Sequence, residues 1–95
     1  MTTEAAMISL EVRKRIRLCI YAYAYEMLNE SLINDSEYDR LSQEIDLSVN
    51  TNRPYLDAWF RNNFDPSTGM WIRSHPELNQ IEFLTKKVIA YRKTL

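Results

Sequence analysis

Residues 8–29 read ISLEVRKRIRLCIYAYAYEMLN, and their spacing decides the architecture. Ile8, Val12, Ile16, Cys19, Tyr23 and Met27 recur at intervals of three and four residues. At about 100° per residue these positions share one face of an α-helix. Leu10, Leu18, Tyr21, Tyr25 and Leu28 fall on a second face. A helix that is apolar on two sides is sandwiched between neighbours or holds something against its second side. The tyrosines occupy its C-terminal half, so extra contacts are expected there. This helix is predicted over about residues 3–29.

Working outward, Asn29–Asn34 breaks the pattern and Asn34-Asp35-Ser36-Glu37 forms a capping box. Asn34 can accept from the Glu37 N–H while the Glu37 carboxylate reaches back. A second helix is predicted from Asp35 to about Val49, with Tyr38, Leu41, Ile45 and Val49 inward. Thr51 or Asn52 can cap a third helix that has Pro54 in its first turn. Leu56, Trp59, Phe60 and Phe64 supply its apolar face. Asp65-Pro66-Ser67-Thr68-Gly69 is a turn, with Gly69 suited to positive φ. Met70-Trp71-Ile72 should run extended. Ser74-His75-Pro76-Glu77 reads as a second capping box, followed by a helix to about Lys93 with a stripe of Leu78, Ile81, Leu84 or Thr85, Val88 and Tyr91. The expected fold is all-α, a small bundle of about four helices whose first two form a hairpin. One domain should cover residues 1–95, with a helix pair at 1–49, C-terminal helices at 50–95 and a loop at 65–73.

Composition agrees. A chain of 95 residues suits one domain with a small core. A single glycine leaves too few tight turns for a strand-rich domain. The net charge of −1 announces no nucleic-acid partner. Residues 26–57 carry eight acids against two arginines, with basic segments on either side, which reads as a mosaic of solvated helix faces. Of Arg13, Lys14, Arg15 and Arg17, only Arg13 and Arg17 share a helix face, so the run spreads its charge. Cys19, the one cysteine, permits neither an intrachain disulfide nor a cysteine zinc site, and reads as a small buried hydrophobe. No basic segment leads into an apolar run, and Leu18–Tyr25 is too short to span a bilayer. A cytoplasmic location without a membrane partner is expected.

Two constellations bear on function. Tyr21, Tyr23 and Tyr25 offer flat aromatic faces with hydroxyls, which serve either core-edge packing or stacking on a heterocycle. The second is NDSEYDRL at residues 34–41. Taken with Tyr25, this stretch resembles the N-terminal Ia subdomain of bacterial NAD-dependent DNA ligases. In that family a helix ends in Tyr-His, and after a short loop the next helix opens on (S/P)-D-A-E-Y-D-x-L. A His-Pro-Glu-Leu element comes later, and His75-Pro76-Glu77-Leu78 is similar to it. The resemblance covers residues 10–48, and 75–78 more loosely. It implies that the helical hairpin is Ia-like and that Tyr25, Glu26, Asp35, Tyr38 and Asp39 line a site for the nicotinamide mononucleotide half of NAD. The tyrosines would pack on the nicotinamide and the aspartates would serve the ribose and the cationic ring. Glu26 stands where the family has histidine; a carboxylate there suits a cationic ring and opposes a phosphate.

The ligases adenylate a lysine within Lys-x-Asp-Gly, and this chain has no such motif. No catalytic residue, resident cofactor or metal ligand is therefore expected. His75 reads as a capping or structural residue, and Asp35 with Asp39 as acids on one helix face. Trp59, Trp71 and Ile72 flank the Asp65–Gly69 turn, either as the core that fixes the loop or as the anchors of a surface for a protein partner. The leading expectation is a non-catalytic helical interaction protein related to the ligase Ia subdomain and acting through a protein partner. The alternative is a module that binds NAD or nicotinamide mononucleotide, or a modulator of DNA ligase. A free-standing module of this kind suits a phage or prophage accessory gene.

Overall fold

The computed structural model describes residues 3–95. It contains α1 (Glu4–Leu28), α2 (Asp35–Gln43), α3 (Pro54–Asn63), a 3-10 helix (Met70–Ser74) and α4 (Leu78–Lys93), with no strand among the described residues. The protein is an all-α bundle. α1 is its axis, packing against α4, the 3-10 helix and α2. Thr3 caps α1 by accepting from the Ala6 N–H at 3.1 Å. Asn29 ends the helix in the left-handed region (φ 54°), its N–H returning to the Ala24 carbonyl.

The face of α1 that enters the core matches the predicted stripe only at Cys19 and Tyr23. Leu18, Cys19, Ala22 and Tyr23 are buried, and so are Glu11 and Arg15. Ile16 and Met27 are each 39% exposed. The apolar period misleads here because two charged residues occupy the inward positions one and two turns before Leu18. Around that face lie Leu41, Phe60, Trp71, Ile72 and Ile81. Full burial of Leu18 or Ile72 contributes about 1.5–3 kcal/mol each.

Asn34 caps α2 as predicted, accepting from the Glu37 N–H at 2.8 Å. The Glu37 carboxylate does not reach back; it pairs with Arg40. α2 also stops at Gln43 rather than near Val49. The reason is tertiary. Glu11 accepts from the Asp46 N–H (3.1 Å), while Arg15 donates to the carbonyls of Asp46 (2.8 Å) and Val49 (3.2 Å). Side chains of α1 thereby satisfy backbone groups that a longer helix would have satisfied itself.

Five other local expectations are corrected. Neither Thr51 nor Asn52 caps α3: the Thr51 N–H and hydroxyl both donate to Asp57, and Asn52 sits at φ 66°. Gly69 has φ −104°, and the segment after it is a 3-10 helix rather than extended chain. Ser74 donates to the Trp71 carbonyl, and His75 Nδ1 is the acceptor for the Glu77 N–H (2.9 Å) at the start of α4. Tyr91 is 66% exposed, and the buried positions of α4 are Ile81 and Thr85.

Candidate functional site

Tyr25, Glu26, Asp35, Tyr38 and Asp39 all line one cleft of about 330 Å³. Its walls are the last turns of α1 and the first turns of α2, joined by the chain through Leu32 and Ile33, with Ser67–Gly69 closing one end. Two local signals set this geometry. The left-handed residue at Asn29 turns the chain out of α1, and the Asn34 cap starts α2. Tyr25, 61% exposed, presents an aromatic ring to solvent. Tyr38 is half-buried and donates to the Thr68 carbonyl at 3.4 Å; burial pushes its hydroxyl up to about 12.

Gly69 is part of the cleft for a steric reason. A Cβ there would lie 3.2 Å from Tyr38 Oη, 3.4 Å from Ala22 Cβ and 3.6 Å from Glu26 Cγ. A side chain here would crowd the Tyr38 hydroxyl, so glycine eases the close approach of the turn to α1 and α2. The sequence pointed to Gly69 as the single glycine but suggested a different reason, positive φ. Tyr21 also lines the cleft; its place in the tyrosine cluster was the available signal.

The cleft carries three carboxylates, on Glu26, Asp35 and Asp39. Glu26 is partly neutralised by Arg73, whose Nη2 donates to both its carboxylate and its carbonyl at 3.3 Å. A second guanidinium, that of Arg92, donates to the Leu32 carbonyl. The arrangement offers stacking faces and negative potential to a flat cation, with two arginines bonded to cleft residues.

The aromatic residues around the Asp65–Gly69 turn are placed differently from the partner-surface expectation. Trp71 is 6% and Ile72 0% exposed, so neither is available as an anchor, and Trp59 is half-buried. Trp59, Phe60, Phe64, Trp71 and His75 pack in one cluster with contacting ring centroids 4.8–6.4 Å apart. Trp71 Nε1 donates to the Thr68 carbonyl at 2.7 Å, tying the turn to the core.

Spacing alone missed a second constellation. Arg15 Nε bonds Glu11 at 2.8 Å and Arg15 Nη1 bonds Asp57 at 2.9 Å, with all three side chains buried. Burial alone would raise the Asp57 carboxyl; hydrogen bonds from Thr51 and the Arg15 guanidinium outweigh it and hold the carboxyl below its ordinary range. Burial also pushes the Cys19 thiol up and the His75 imidazole down. The one available signal was Asp57 itself, an acid set between Leu56 and Phe60 on an otherwise apolar helix face.

Among the described residues no group of three or more His, Cys, Asp or Glu side chains is arranged to hold a metal ion, and no helix is long and apolar enough to cross a membrane. Comparison with protein families, with curated proteins and with solved structures returns no match to this chain.

Proposed function

We propose that this chain is a non-catalytic helical binding module whose α1–α2 cleft takes a cationic heteroaromatic group of the nicotinamide nucleotide type. The observation that carries the reading is the convergence of Tyr25, Glu26, Asp35, Tyr38 and Asp39 on one cleft. A pyridinium ring gains from an aromatic face and from nearby carboxylates, and the cleft supplies both. The similarity of residues 34–41 to the ligase Ia subdomain supports the same ligand class, nicotinamide mononucleotide or NAD. A protein partner docked on Trp59, Trp71 and Ile72 has less support, because two of those three side chains are core. Modulation of a DNA ligase would follow from competition for the same nucleotide.

The site is shallow and small, so the expected dissociation constant is on the order of 1 mM. The test is an amide chemical-shift titration of the labelled protein with nicotinamide mononucleotide and with NAD. Saturable shifts clustered at Tyr25, Glu26, Asp35, Tyr38 and Asp39 are the expected result. No shifts at several-fold higher ligand would sink the reading.

A further inference from the structure

Among the described residues no lysine, arginine or histidine lines the α1–α2 cleft, whereas Glu26, Asp35 and Asp39 all do. The two guanidiniums that touch cleft residues are already engaged. Arg73 donates to the Glu26 carboxylate and carbonyl, and Arg92 to the Leu32 carbonyl. A helix N-terminus is the other common seat for a phosphate. α2 begins at the cleft, but Asn34 already accepts the Glu37 N–H at 2.8 Å, and Asp35 and Glu37 in the first turn supply the negative charge that the helix dipole favours. The serine hydroxyls are spent too: Ser31 donates to the Ile33 carbonyl and Ser67 to the Asp65 carboxylate. Nothing in the cleft is set to receive an anion.

Glu26 weighs most among the three carboxylates. Its side chain is 15% exposed, whereas Asp35 and Asp39 are exposed, so water and salt screen it least. It faces the turn, with Cγ 3.6 Å from where a Gly69 Cβ would stand, and its charge helps to hold the Tyr38 hydroxyl up. It also occupies Arg73, which is thereby withheld from a ligand anion. A pyridinium nucleotide carries its phosphate one ribose away, within about one screening length (~10 Å at 0.1 M salt) of the ring. Carboxylates that attract the ring therefore repel the phosphate.

We infer that the cleft, taken as the pyridinium site proposed above, selects the unphosphorylated cation, a nicotinamide nucleoside rather than a nucleotide, and that Glu26 sets this preference. The side chain acts twice, through its own charge and by keeping Arg73 from the phosphate.

Nicotinamide riboside and nicotinamide mononucleotide differ only in the phosphate. Titrating the full chain with each at low ionic strength, followed by amide shifts at Tyr25, Asp35 and Tyr38, isolates that group. The riboside should bind about 3–10-fold more tightly. Glu26→Gln keeps the shape of the side chain, removes its charge and loosens its hold on Arg73. It should weaken the riboside, strengthen the mononucleotide and bring their ratio below about 2. Arg73→Ala unmasks the Glu26 charge and should widen the ratio about 2-fold. Circular dichroism should stay native in both variants, because the Arg73 side chain is 53% exposed. If both ligands shift the cleft residues and the mononucleotide binds as tightly as the riboside or more tightly, the inference is overturned and the pyridinium site stands. A ratio unchanged by Glu26→Gln overturns it as well. No saturable shift with either ligand would remove the pyridinium site itself, and the preference with it.

Discussion

Two groups of acids in this protein have opposite fates. Asp35 and Asp39 are exposed at a cleft that Glu26 also lines, the Glu26 side chain being 15% exposed and paired with Arg73. Glu11 and Asp57 are buried against Arg15 and bind backbone as well as guanidinium. The contrast separates charge that can serve recognition from charge that builds the fold. An exposed carboxylate is already hydrated and can exchange water for a cation at little cost. A buried carboxylate must keep every partner it has.

The largest effect should come from Arg15→Ala. It strips the guanidinium from two buried carboxylates and frees the 46–49 segment, for an expected loss of about 3–5 kcal/mol in denaturant unfolding. A loss below about 1 kcal/mol would mean that water replaces the guanidinium, and the comparison would fail. Gly69→Ala comes next. The added methyl meets Tyr38 Oη at 3.2 Å and displaces that hydroxyl by a few tenths of an ångström, costing up to about 1 kcal/mol and weakening ligand shifts in the cleft together.

Acid should act on the buried region through two groups of the same sign. The His75 pKa is lowered on folding, so its contribution is present above the unfolded value of about 6.5 and declines as pH falls below that. The Asp57 pKa is lowered too, so its contribution is present above the ordinary aspartate range and is lost below about pH 4. Thermal melts from pH 8 to pH 3 should therefore show stability falling in both windows. A rise between pH 7 and pH 5 would contradict the His75 assignment.

In the cleft, Tyr25→Ala should leave stability within about 0.5 kcal/mol, because the ring is 61% exposed. It should weaken nicotinamide mononucleotide binding about 2–5-fold by removing one stacking face. The smallest change expected is Ser42→Ala. Ser42 Oγ is buried without a hydrogen-bond partner among the described residues, so its removal should be neutral or slightly stabilising in the same unfolding assay.

Local code accounts for four helices, the Asn34 cap, the turn at Asp65 and the Pro54 start of α3, because each depends on residues within a few positions of one another. The five cleft residues were named only through the resemblance to the ligase Ia subdomain; that they line one cleft follows from the short connection between the two helices that carry them. What lay beyond reach came from distant partners. α2 ends early because Glu11 and Arg15, more than 30 residues upstream, bind the backbone at Asp46 and Val49. Gly69 is favoured by its close approach to the Tyr38 hydroxyl rather than by its own φ. Sequence left two readings of Trp71 and Ile72, core or partner surface, and packing chose core; Ile16 and Met27 lie toward the surface while Glu11 and Arg15 of the same helix are buried. Periodicity ranks residues by polarity alone. Burial is decided by which groups find all their partners, and those partners exist only once the chain has folded.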